Sequence, residues 1–197
     1  MCAYVLRPGL AGKRVRADGR VAADLAQPNP LGGARKRALD LVGASIALIL
    51  LSPLMLFVAG LVRIVFGGPA IIAERRVGFG GKTYECYKFR SDVSNVDVLH
   101  RHQEHKPTAS CFGNVLISSS LDELPQLLNV LRGDMSLVGP SSVLPDDLAR
   151  YGRHTRTYLR AKPGLTGMWQ AHGRDRRTCA GRIACDQYYV RQLVGGT

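Results

Sequence analysis

Leu41 to Val62 carries no charged residue, and that run constrains the chain more than any other feature. About 20 consecutive apolar residues span a bilayer as a single helix. A buried core helix is the alternative, although one this long ordinarily keeps a polar face. Two details argue against a simple span. Ser52-Pro53 stands at the centre of the run, where proline removes a backbone donor and kinks a helix. Basic residues flank both ends, Arg35, Lys36 and Arg37 before it and Arg63, Arg75 and Arg76 after it. The preference of Lys and Arg for the cytoplasmic side then places both ends in the cytoplasm. A helix–break–helix hairpin satisfies both details. Each arm of about a dozen residues reaches about 18 Å, so it dips into one leaflet and returns. The carbonyl freed by Pro53 needs a new donor, and Ser52 is the candidate.

This anchor divides the chain. Residues 1–34 are rich in Arg, Gly, Ala and Pro with little periodicity, which reads as a disordered basic tail. Residues 35–66 form the re-entrant anchor. Residues 67–197 are long enough for one cytosolic domain with a real core. The expected fold class is α/β (α+β), a membrane hairpin followed by a small cytosolic α/β domain with amphipathic helices on the membrane surface. The net charge of +12, from 27 Lys and Arg against 15 Asp and Glu, calls for an anionic partner such as nucleic acid, an acidic membrane or a phosphorylated substrate. No RNA-binding aromatic motif or DNA-reading helix is visible, and the apolar hairpin argues against a nucleic-acid protein. Five scattered cysteines without a CxxC pair point to a reducing compartment rather than a disulfide or zinc framework.

After the anchor, Pro69 to Ala73 suits a short strand and Thr83 to Arg90 alternates like a second. Between them Arg75-Arg76-Val77-Gly78-Phe79-Gly80-Gly81 reads as a basic, glycine-rich turn. Such a turn can cradle phosphate through backbone N–H groups, or can be a plain hairpin loop. Lys88 and Arg90, two residues apart on a strand, project to one side as a possible phosphate clamp. Val93 to Thr108 holds His100, His102 and His105, whose spacing does not put three ligands on one helix face and suits a solvated helix end. Val143 to Tyr158 is expected to be an amphipathic helix with Pro145, Asp146 and Asp147 in its first turn. Its Arg150, Arg153 and Arg156 suit either a solvated face or anionic headgroups. Lys162 to Arg174 is a turn-rich loop with the only tryptophan, Trp169, and Arg182 to Leu193 closes as a short helix.

Between these segments lies SSSLDELPQLLNVLRGDMSLVGP, Ser118 to Pro140. Asp122 and Glu123 fall at the start of an apolar helix, where acid pairs commonly only cap. Ser120 and Glu123 have capping-box spacing, but Pro125 disfavours a helix already under way. With Pro125 at the first helical position the acids sit just outside the mouth, facing the positive end of the helix dipole, which favours their ionised forms. An ionised Asp can attack an activated phosphoryl centre while its neighbour holds a divalent metal, for which Mg2+ is the expected ion.

Four stretches together carry a resemblance: KRALDLVGASIALILLSPLML, GGPAIIAERRVGFGGKTYECYKFRSD, SLDELPQLLNVLRGDMSLVGP and KPGLTGMWQAHGR. From about Arg35 to Val190 the chain resembles the bacterial sugar transferases, the small monotopic polyprenyl-phosphate phosphoglycosyl transferases, and most of all those that start exopolysaccharide units with glucose or galactose. The resemblance implies transfer of a sugar 1-phosphate from a UDP-sugar to undecaprenyl phosphate, with release of UMP. It implies Asp122 as the nucleophile of a covalent phosphosugar intermediate, Glu123 in Mg2+ binding, and Arg90 near the active site. The setting implied is the cytoplasmic face of the bacterial inner membrane, with membrane lipid, and a second copy or polysaccharide-assembly proteins, as partners. Lys88, Arg75 and Arg76 complete the expected phosphate-binding set.

The chain departs from that pattern where phosphate is expected to be held. The family usually reads Gly-Pro-Arg-Pro where this chain has Gly139-Pro140-Ser141-Ser142, and it usually has basic residues where Ile117 and Ser118 stand. An Asp-Pro-Arg element usual upstream is missing between about His105 and Asn114, and the chain stops soon after Tyr188-Tyr189. The competing expectation is therefore a weak or inactive paralogue that regulates exopolysaccharide assembly.

Overall fold

The computed structural model describes residues 30–91, 111–168 and 179–195. The tail ahead of Pro30, the three histidines, the upstream gap and Trp169 lie outside them. Gly33–Phe66 is one 34-residue helix, α1, with Pro53 inside it. The sequence predicts two elements separated at Ser52-Pro53; one helix runs through instead. A proline at 53 leaves the carbonyl four residues earlier without its donor. That carbonyl is Ile49's, and Ser52 Oγ donates to it at 2.8 Å.

α1 leaves large apolar side chains uncovered along its length, including Leu39, Ile49, Leu50, Leu56, Phe57 and Ile64. It meets membrane length and hydropathy criteria. Its other side seats the domain. Ala44, with Ala47, Leu48 and Leu51, packs with Cys86, Leu127, Val130 and Met135. Val58, Val62 and Phe66 pack with Phe89 and Leu116. Gly43 allows the close approach, since a Cβ there would stand 2.7 Å from Leu137 Cδ1.

The domain is mixed, with two small two-stranded sheets. β1 (Ile71–Val77) and β2 (Thr83–Phe89) form the expected antiparallel hairpin. The first strand extends further than its sequence suggests, so Arg75 and Arg76 belong to β1 and the turn is confined to Gly78–Lys82, around a 3-10 segment at Phe79–Gly81. Ladder bonding and burial of Val77 outweigh the local glycine signal. The chain then forms helix α2 (Cys111–Ser118), a 3-10 turn at Leu121–Glu123, helix α3 (Gln126–Arg132) and strand β3 (Ser136–Val138). β3 pairs in parallel with β4 (Gly164–Thr166).

The single amphipathic helix expected over Val143–Tyr158 does not form. A 3-10 segment, Asp146–His154, is followed by the short helix α4, Thr155–Leu159. Gly152, at φ 46 and ψ −125, interrupts the helical backbone. Leu148, Tyr151, Tyr158 and Leu159 bury against Val77 and Val143, so the apolar side of this region covers the hairpin. Helix α5, Cys179–Gly195, closes the chain and is longer than expected.

Candidate active site around Asp122

Three serines place the acid pair. Ser118 and Ser119 hydroxyls donate to Val115 O at 3.1 and 2.6 Å, and Ser119 Oγ also reaches Leu116 O at 3.1 Å. They satisfy carbonyls that the end of α2 would otherwise leave open. Ser120 then adopts the left-handed conformation at φ 58, the one such non-glycine among the described residues. Its side chain makes no cap bond, so the Ser120–Glu123 capping box, which Pro125 disfavours, does not form. Glu123 N donates to Ser120 O instead, at 3.2 Å, closing the tight turn that carries both acids. Pro125 is the N-cap of α3 at φ −62, which leaves the acids just outside the helix.

Leu121 and Leu124, flanking the acids, pack on the cluster of Phe89 and Leu116. They draw the turn into the protein and leave Asp122 only 8% exposed. Burial raises the Asp122 carboxyl above the usual carboxylate range. Lys88 opposes that shift, Glu123 adds to it, and a bond from Asp122's own backbone N–H opposes it. The helix mouth therefore does not bring the Asp122 value below the ordinary one, because burial is the largest influence on it.

Lys88 Nζ lies 3.4 Å from Glu123 Oε1, with both side chains partly exposed. Its position is set by Asn129, a fully buried residue of α3. Asn129 Nδ2 donates to Glu85 O at 2.6 Å, and Tyr87 N donates to Asn129 Oδ1 at 3.0 Å. The amide grips β2 one residue short of Lys88. On the same strand, burial pushes the Cys86 thiol up to about 11, so it stays protonated at neutral pH.

Of the remaining expected phosphate ligands, Arg76 is held away from Lys88. Arg90 donates to Gly67 O at 3.2 Å. Arg76 binds Glu74 Oε2 at 3.0 and 2.5 Å and Ser142 O at 2.7 Å. Arg75 is exposed. Arg76 pairs with Tyr84 and Lys88 with Ile72, so Arg76 and Lys88 stand at opposite ends of the hairpin, about 13 Å of strand apart. At the loop after β3, Ser141 N donates to Asp186 Oδ1 at 3.1 Å, and Tyr151 OH donates to Asp186 Oδ2 at 2.8 Å. A buried carboxylate thus binds the loop where the resemblance expects an arginine.

Among the described residues no three His, Cys, Asp or Glu side chains converge. Mg2+ often binds through one or two carboxylates plus substrate phosphate oxygens. Asp122 and the partly exposed Glu123 supply that donor set, so the site fits the ion.

Sequence reasoning missed Asn129 and Asp40. Asp40, 6% exposed, accepts from Ser136 Oγ at 3.0 and 2.8 Å, from Leu137 N at 3.0 Å and from Lys36 at 3.3 Å. It fastens α1 to β3. A carboxylate one residue before an apolar run was the available signal.

A model of the bacterial sugar transferase family matches residues 32–194. The exopolysaccharide production protein ExoY of Sinorhizobium fredii is 44% identical over 179 residues, covering 82% of this chain and 79% of that protein. An undecaprenyl-phosphate galactose phosphotransferase of Salmonella typhimurium is 42% identical over 173 residues, covering 79% of this chain and 36% of its own. A UDP-glucose:undecaprenyl-phosphate glucose-1-phosphate transferase of Caulobacter vibrioides is 38% identical over 167 residues, covering 78% of this chain and 56% of that protein.

Proposed function

The chain belongs to the bacterial sugar transferase family, and from that membership and its buried acid we propose that it transfers a hexose 1-phosphate from a UDP-sugar to undecaprenyl phosphate, initiating an exopolysaccharide. The observation that carries the reading is Asp122, desolvated beside the Lys88–Glu123 pair. In the first step an ionised Asp122 oxygen attacks the phosphorus bearing the sugar. The phosphoanhydride bond breaks and UMP leaves with the bridging oxygen. In the second, a phosphate oxygen of undecaprenyl phosphate attacks the same phosphorus, and the acyl phosphate bond breaks to restore the carboxylate.

Desolvation raises the Asp122 pKa and leaves the ionised form poorly hydrated beside the substrate. Lys88 offsets negative charge at the acids. Glu123, with Asp122, would hold Mg2+, which neutralises phosphate charge when bound. The reading puts the domain at the cytoplasmic face of the inner membrane, held there by the apolar helix α1.

The direct test is UMP release by the purified chain in nanodiscs with Mg2+, undecaprenyl phosphate and a panel of UDP-sugars. UMP above an Asp122→Asn control is expected for one sugar. None above that control with any sugar overturns the reading. One observation favours the alternative, a weak or inactive paralogue that regulates assembly: Asp186 binds the loop at Ser141. That reading expects retained UDP-sugar or lipid binding without UMP release.

A further inference from the structure

A second basic site lies at the other end of α3 from the acids, where the start of α1 meets the domain. Lys36, Arg37 and Lys162 line a cleft there with Asp40, Ser136 and Tyr189. The charges do not cancel. Among the described residues lining it Asp40 is the one carboxylate, Asp134 is the other acid that acts on Lys162, and the oxygens of Asp40 already accept from Ser136, Leu137 and Lys36. Arg37 donates to Val130 O at 2.6 Å and Leu131 O at 2.8 Å, the open carbonyl end of α3. Lys162 is partly buried, and its side chain makes no hydrogen bond or ion pair with any described residue. Burial, then the neighbouring Arg37, lower its pKa, while Asp40 and Asp134 act against that. A cation held next to an arginine at a partly dry cleft is a stable arrangement once an anion enters between them.

The cleft's position identifies the anion. Pro30 and Leu31 also line it, and Leu193 of α5 stands at its edge. The uncovered face of α1 begins beside it, with Leu39 73% and Val42 59% exposed. A phosphate there would have its acyl chains running along apolar helix rather than into water. We propose that this cleft binds the phosphodiester headgroup of an acidic phospholipid through Lys36, Arg37 and Lys162, at a site separate from the acid pair. The bound lipid sets the depth and tilt of α1 at the membrane surface.

The test is amine acetylation of the full chain in nanodiscs, read residue by residue by mass spectrometry. Lys82, exposed near the hairpin tip, serves as the reference. Replacing phosphatidylcholine by phosphatidylglycerol should slow Lys162 labelling about fivefold relative to Lys82, the protection expected of one well-placed lysine–phosphate contact. The Asp122→Asn variant should show the same protection, so the outcome does not depend on the transferase reading. An unchanged Lys162 to Lys82 ratio overturns the proposal. Equal protection by millimolar inorganic phosphate in phosphatidylcholine overturns it in favour of a free-phosphate site. Protection by undecaprenyl phosphate but not by phosphatidylglycerol overturns it in favour of the acceptor lipid.

Discussion

Asp122 has to be buried and charged at once. Its folded-state pKa is raised, so the folded chain holds this proton more tightly than the unfolded chain does. The stability linked to the group is present in acid and is lost as pH rises through the folded value. Asp122→Asn should therefore abolish UMP release yet raise neutral-pH stability by about 0.5–2 kcal/mol, the usual gain from relieving a functional residue. Thermal melts at pH 5 and pH 8 check this, since the gain should be larger at the higher pH. The nucleophile must be ionised, so the rate should climb with pH through a midpoint above the ordinary Asp range. Lys88→Met should move that limb further towards alkaline pH, because Lys88 is the side chain that pulls the Asp122 value down. It should also cost about 30- to 1000-fold in kcat, the scale of one lost electrostatic contact to the reacting phosphate. An unmoved pH limb would remove Lys88 from the site.

At the scale of elements, α3 is the joint between anchor, hairpin and acids. Its Asn129 amide replaces a missing strand partner for Glu85 and Tyr87. Asn129→Ala leaves a buried carbonyl and a buried N–H open and should cost about 2–4 kcal/mol in denaturant unfolding. Because Lys88 follows directly, kcat should fall in the surviving folded protein as well. The acid pair, the hairpin and α3 were legible because each depends on local pattern: apolar periodicity, proline position and strand alternation. Asn129 was not, since an amide inside LLNVLRGD has no apparent partner until β2 is brought beside it. The region after Pro140 misled for the same reason. Its apolar positions fit one helix, but Gly152 breaks the backbone and the packing demanded by Val77 and Val143 decides the shape. The upward direction at Asp122 was not legible, because the burial that raises it depends on Leu121 and Leu124 packing into the cluster of Phe89 and Leu116.

At the scale of the whole molecule, the anchor and the domain act as one body joined at two levels. Near its start α1 is tied by Asp40 to β3, and near its end Val58, Val62 and Phe66 enter the same core as Phe89. A helix of 34 residues would be about 51 Å long if straight, far more than the roughly 30 Å apolar thickness of a bilayer. Both of its ends contact one small domain, and a domain can lie on only one side of the membrane. In the proposed setting the basic residues at either end, Arg35 to Arg37 and Arg63, favour the cytoplasm as that side for both. Cysteines introduced at Arg35 and at Arg63 should thus react with a membrane-impermeant maleimide only after cells are opened, in step with the exposed native Cys111. Labelling of one of the two positions in intact cells would make α1 a true span and would require the contacts of Asp40 or of Val62 with the domain to be lost in the membrane.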